Sequence, residues 1–106
     1  MIVESMFALA LAGGAPLAET CVPVPAAGHS GASQLKWYTD SEAITVEGSK
    51  YTKYGLPRVL AKGDVELLAS YQGGFVYVET GSKEREVVYV LVHLVGCEFQ
   101  PYLREA

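Results

Sequence analysis

Val87-Val88-Tyr89-Val90-Leu91-Val92-His93-Leu94-Val95 decides the fold of this chain. Five of the nine residues are valine, and that density of β-branched side chains disfavours a helix and favours an extended strand. Strands that face solvent on one side alternate apolar with polar residues. This run is apolar on both faces, so it predicts a central strand covered on both sides. By the same alternation His93 shares a face with Tyr89 and Leu91 and reads as a hydrogen-bonded core histidine.

Upstream of that run, punctuated strands continue. Gly81 to Glu86 is a polar loop, and Phe75-Val76-Tyr77-Val78-Glu79 precedes it as a strand. Gln72-Gly73-Gly74 reverses the chain, and Val65-Glu66-Leu67-Leu68-Ala69-Ser70-Tyr71 alternates as another strand, entered by the turn Lys62-Gly63-Asp64. Further upstream, Ala43-Ile44-Thr45-Val46-Glu47 and Lys50-Tyr51-Thr52-Lys53-Tyr54 flank Gly48-Ser49, a two-residue hairpin signal. That register sets Val46 opposite Tyr51, Thr45 opposite Thr52 and Glu47 opposite Lys50. Downstream, Glu98-Phe99-Gln100-Pro101-Tyr102 contains a proline, which has no N–H for a ladder. It is therefore expected outside the sheet centre, as an exposed docking edge or a cap. About six short strands joined by tight turns predict an all-β domain over residues 35–106, a small barrel or rolled antiparallel sheet.

The N-terminal third reads differently. Residues 1–18 carry the apolar run Met6-Phe7-Ala8-Leu9-Ala10-Leu11-Ala12, a Gly13-Gly14-Ala15-Pro16 break and small residues at Pro16 and Ala18. This is the pattern of a cleaved export signal, although the expected positive charge is replaced by Glu4. The alternative is a retained N-terminal segment and a cytoplasmic protein. About 14 apolar residues are too few for a membrane span, which needs ~20. Residues 19–34, with Pro23, Pro25, Gly28 and Gly31, lack hydrophobic periodicity and read as a linker or extended arm.

The chain has two cysteines, Cys21 and Cys97. In an exported protein they pair, closing a loop of about 75 residues and stabilising the fold by roughly 4.5 kcal/mol on a chain-entropy account. In a reducing compartment they are two free thiols. Metal binding is disfavoured, because Cys21 with His29 and His93 with Cys97 have no usual zinc spacing, and extended residues 93 and 97 stand ~13 Å apart.

Two resemblances follow from these residues. Tyr54-Gly55-Leu56-Pro57, then Leu60-Ala61-Lys62-Gly63-Asp64-Val65-Glu66-Leu67-Leu68 and Gly73-Gly74-Phe75-Val76-Tyr77-Val78, resemble the bacterial SH3-like domain over about a third of the chain. That resemblance implies a small barrel and assigns no binding residues. Lys53-Tyr54-Gly55-Leu56-Pro57-Arg58-Val59 and Gly96-Cys97-Glu98-Phe99-Gln100-Pro101-Tyr102 resemble blocks of short, uncharacterised bacterial exported proteins, which implies an envelope origin and no activity.

For function, the formal charge of −4 argues against nucleic acid, which selects a basic face. No nucleophile elbow, phosphate loop, dinucleotide fingerprint or zinc-protease motif is present, and no cofactor is implied. Asp64 reads as a turn residue, and Glu79, Glu84 and Glu86 with Lys83 and Arg85 as a solvated loop. His29 reads as a solvated loop histidine. A reaction needs a constellation, and convergence of Asp64 with His93 is the one arrangement that would supply it. The aromatic residues point instead to binding, because tyrosine suits half-exposed interfaces. Trp37, Tyr38, Phe99 and Tyr102, near the ends of the β-region, are the candidate interface residues. The expected function is a non-enzymatic exported module that binds a protein or a cell-envelope component. The alternative is an accessory subunit whose retained N-terminal arm docks on a neighbour.

Overall fold

The computed structural model describes residues 31–106, and the expected signal, Cys21, His29 and most of the expected arm lie outside the described residues. The domain consists of a helical turn, α1 (Lys36–Thr39), and seven strands: β1 (Ile44–Val46), β2 (Ser49–Lys53), β3 (Arg58–Val59), β4 (Val65–Tyr71), β5 (Gly74–Glu79), β6 (Val87–His93) and β7 (Glu98–Arg104). All pairings are antiparallel, in the order β1-β2-β7-β6-β5-β4, with β3 added to β7. The sheet curls into a half-barrel, bringing β1 toward β4 across the open seam. The all-β rolled sheet expected from the strand pattern is thus the fold.

Alternation along the strands supplies two apolar layers. Inside the curl lie Tyr51, Val76, Val78, Val88, Val90 and Tyr102, closed at one end by Trp37 of α1. Outside it, Tyr77, Leu91 and Phe99 form a second cluster, with the Tyr77 and Phe99 rings edge-to-face at 5.5 Å. The central run at β6 feeds both layers, as its two-faced apolarity required. The chain folds Leu60 over the outer cluster, so the convex side is partly covered by residues that follow β3.

Four expectations need correction. The region beginning at Leu35 opens with a helical turn and not a strand. Lys36 pairs with Asp40 four residues on, Thr39 Oγ1 donates to the Lys36 carbonyl, and the turn swings Trp37 into the barrel end. The first hairpin turns at Glu47-Gly48, so Ile44 faces Tyr51, Thr45 faces Lys50 and Val46 faces Ser49. Both turn residues have positive φ, 51° and 81°, the requirement of the tight hairpin turn whose twist matches the strands. The slip is by two residues, so Ile44, Val46 and Tyr51 keep their inward face.

His93 is exposed and not core. A bulge between Leu91 and His93 sets Leu91 opposite Phe99 and His93 opposite Glu98, so the extra residue moves His93 off the face of Leu91. Its Nδ1 meets Glu98 Oε1 at 2.6 Å. The end of the expected arm packs at this bulge: Ala32 N and Ser33 N donate to the Leu91 and Val92 carbonyls, and Ala32 is fully buried. Gly31 is required there, because a Cβ would lie 2.0 Å from the Val92 carbonyl oxygen.

β7 is the fourth correction. It lies between β6 and β2 despite Pro101. Pro101 faces the gap between β2 and β3, where Tyr54 N donates to its carbonyl at 3.0 Å but the proline returns no N–H. The side-chain amide of Gln100 takes that place, with Nε2 reaching the Tyr54 and Gly55 carbonyls at 3.4 and 3.1 Å. A buried glutamine thus repairs the ladder that the proline interrupts. The two blocks 53–59 and 96–102 lie side by side through this contact.

Candidate functional site

Three of the four aromatic residues expected at an interface are structural. Trp37, Phe99 and Tyr102 are buried, because α1 turns Trp37 into the barrel end and β7, which carries Phe99 and Tyr102, lies between β2 and β6. Trp37 Nε1 donates to the Gln72 carbonyl at 2.9 Å, and its ring meets Tyr71 edge-on at 5.1 Å. The Tyr102 hydroxyl is buried without a hydrogen-bond partner among the described residues, and burial raises its pKa well above the usual tyrosine range. Tyr38 alone is half-exposed. Its hydroxyl reaches Gln100 Oε1 at 3.4 Å and Lys53 Nζ stands 3.8 Å over its ring, where burial holds the Lys53 pKa below its ordinary value.

The open surface lies elsewhere. Among the described residues β3 pairs with β7 alone, and the chain from Tyr54 to Val59 forms the outer edge. Leu56, Val59 and Tyr54 are 82, 75 and 55% exposed, and Val95 in the β6–β7 turn is 90% exposed. Leu60 N donates to the Cys97 carbonyl at 3.1 Å, joining this edge to the turn that carries Val95 and Cys97. Sequence reasoning placed these aliphatic residues in turns and strands without separating exposed from buried. The signal it passed over was an aliphatic residue at a turn position, as in Gly55-Leu56-Pro57 and Val95-Gly96.

Beside this edge a groove crosses the convex face. Arg58, Leu60 and Asp64 form one wall, and Val65, Glu79 and Tyr89 complete a hollow of about 170 Å³. Glu79 and Tyr89 also line an adjoining hollow of about 250 Å³ with Ser82, Glu84, Glu86 and Val87. The wall is held locally. Asp64 Oδ2 accepts from Ala61 N at 2.8 Å, Thr80 N donates to the Asp64 carbonyl at 3.0 Å, and Thr80 Oγ1 donates to the Gly63 carbonyl at 2.7 Å. Asp64 thus does the turn work expected of it and also lines the groove. His93 lines neither of these two hollows and is held instead by Glu98, so neither brings it together with Asp64.

Compared with family models, curated proteins and solved structures, the chain gives no significant match.

The groove is acidic: four carboxylates face one guanidinium, that of Arg58. Arg85 borders the larger hollow: its Nε donates to Glu47 Oε1 at 3.3 Å and its Nη1 to the carbonyl of the lining Ser82 at 3.3 Å. Glu86 stands 3.7 Å from Arg104, whereas Glu79 and Glu84 make no ion pair among the described residues. Among the described residues, no three His, Cys, Asp or Glu side chains gather as metal ligands, and no helix is long and apolar enough to cross a membrane. Sequence reasoning saw the glutamates only as a solvated loop, because the pairing that sets Tyr77 opposite Tyr89 and brings Glu79 to their face is long-range.

Proposed function

We propose that this protein is a non-enzymatic binding module exported to the cell envelope, stapled by a Cys21–Cys97 disulfide, whose ligand is a protein. The observation that carries the reading is the uncovered edge. Leu56, Val59 and Val95 stand largely in water beside a strand that, among the described residues, is paired on one side, at a cost of ordering water that a folded domain ordinarily avoids by burial. An open strand edge flanked by apolar side chains is also the usual template for adding a partner's strand. The likeness to short bacterial exported proteins supports the envelope location.

Photo-cross-linking in intact cells tests this. A photoreactive residue placed at Val59 or Val95 should yield a discrete protein adduct, whereas one at the exposed Lys50 should not. Absence of an adduct from both edge positions, or equal labelling from Lys50, sinks the reading. Intact mass of the purified protein, with and without reduction, checks export: loss of 18 residues and two protected thiols are expected.

A further inference from the structure

We propose that Val22-Pro23-Val24-Pro25, a segment outside the described residues, docks as an extended strap on the convex apolar cluster at the β6–β7 end of the sheet; the proposal rests on the Cys21–Cys97 bond of the reading above. The cluster supplies the surface. Leu60, Phe75, Leu94 and Cys97 are half-buried there, packed on Leu91 and Phe99. They are contiguous. Leu60 N donates to the Cys97 carbonyl and Cys97 N to the Leu94 carbonyl, each at 3.1 Å, and Phe75 precedes the Val76 that pairs with Val90 of β6. Phe75, Tyr77 and Cys97 each have an interaction partner beyond their packing in this cluster, and an occupied face accounts for all three at once.

Two anchors bring the segment to this face. A disulfide holds its two Cα atoms about 4.4–6.8 Å apart, so the bond sets Cys21 beside Cys97 at the cluster. At the other end Ala32 N is bonded to the Leu91 carbonyl, and Gly31 packs on the carbonyl of Val92. The nine residues Val22 to Ser30 therefore leave from β7 and return to β6. From β7 over β6 to β5 is two strand spacings, ~10 Å. A valine before each proline is held extended, and four such residues reach about 12 Å. That length carries Val22 and Val24 across Leu94 to Phe75, and Ala26 to Ser30, with Gly28 among them, supply the return. Composition agrees, because Val22 to Ala27 carries no charged or polar side chain and the half-buried surface is apolar. The prolines fix φ before docking, so little backbone freedom is lost on contact. The strap leaves the proposed partner surface open. Arg58 lies opposite Phe99 of the cluster, so its neighbour Val59 points to the other face, and Val95 is 90% exposed in the turn.

The test is NMR of the natively purified, isotopically labelled protein, with its thiol state read in parallel by intact mass. Nuclear Overhauser contacts should run from the Val22 and Val24 methyl groups to the Phe75 ring and the Leu94 methyl groups. Val24→Ser should remove its own contacts and speed hydrogen exchange of the Cys97 amide about tenfold, because the bond of that amide to Leu94 lies beneath the strap. Leu56→Ser, on the open edge, should change neither. Absence of the contacts in a chain whose mass shows the disulfide overturns the strap alone, as does a Cys97 amide that exchanges in Val24→Ser at the rate of the unaltered protein. Contacts of Phe75 and Leu94 with a co-purifying protein in place of Val22 and Val24 give the face to a partner and also overturn it. Two free thiols overturn the strap together with the disulfide-stapled module.

Discussion

At the scale of single residues, polar groups inside the sheet decide more than their number indicates. Gln100 is buried, and its amide serves the carbonyls left by Pro101 while its oxygen receives Tyr38. Gln100→Leu keeps most of the volume but strands those groups, and it should cost about 1–3 kcal/mol in urea unfolding. Tyr102 presents the opposite case. Its hydroxyl has no hydrogen-bond partner among the described residues, so Tyr102→Phe removes a desolvated polar group and should leave the melting temperature equal or higher. Tyr77 sets an alkaline limit, because burial pushes its pKa up to about 12 from an ordinary 10. The folded state holds the proton more tightly than the unfolded chain, so the stabilisation is complete below pH 10 and is lost as the pH rises toward 12. Roughly 2–3 kcal/mol should disappear across that window. Stability measured at pH 9 and pH 12 checks the sign, with tyrosinate absorbance rising together with unfolding; a flat profile would contradict it.

At the scale of elements, legibility followed local chemistry. The run at residues 87–95 announced the central strand, and Lys62-Gly63-Asp64 and Gln72-Gly73 announced turns that form where expected. The first hairpin slipped because Gly48 can occupy either central position of a two-residue turn, and Glu47 gave no sign that it would accept a positive φ. The bulge after Leu91 and the repair at Pro101 depend on Gly31–Ser33 and Gln100, partners distant in sequence or chemically unexpected, so alternation alone misplaced His93 and β7. The same partners buried Phe99 and Tyr102. Turn chemistry also yields a prediction. Gln72 and Gly73 both adopt positive φ, at 40° and 87°. Asparagine tolerates that conformation better than glutamine, so Gln72→Asn should raise stability by about 0.5–1 kcal/mol. Its carbonyl still serves Trp37, which keeps the effect on the turn. An unchanged or lower urea midpoint would contradict that account of the turn.

At the scale of the whole molecule, the half-barrel leaves a seam at β1 and β4 and an apolar edge at β3, so the domain gains much from any constraint on its unfolded chain. Ala32 is locked against β6, whereas Cys97 sits in the turn that leaves the same end of that strand. The proposed Cys21–Cys97 bond therefore ties the N-terminal segment to the end of the sheet where residues 31–33 already dock. In the unfolded chain the same bond closes a loop of about 75 residues, and that lost freedom is what stabilises the native state. Cys21→Ser in the full chain should lower stability by roughly 4 kcal/mol while leaving the strand amides and the groove unperturbed by NMR. Reduction of the unaltered protein should reproduce the loss, and reduction of Cys21→Ser should add nothing. If reductant leaves the unfolding midpoint of the unaltered chain where it was, the two cysteines are unpaired and the export reading loses its structural support. The strand pairings that build the edge and groove would stand regardless, because they lie wholly within residues 31–106.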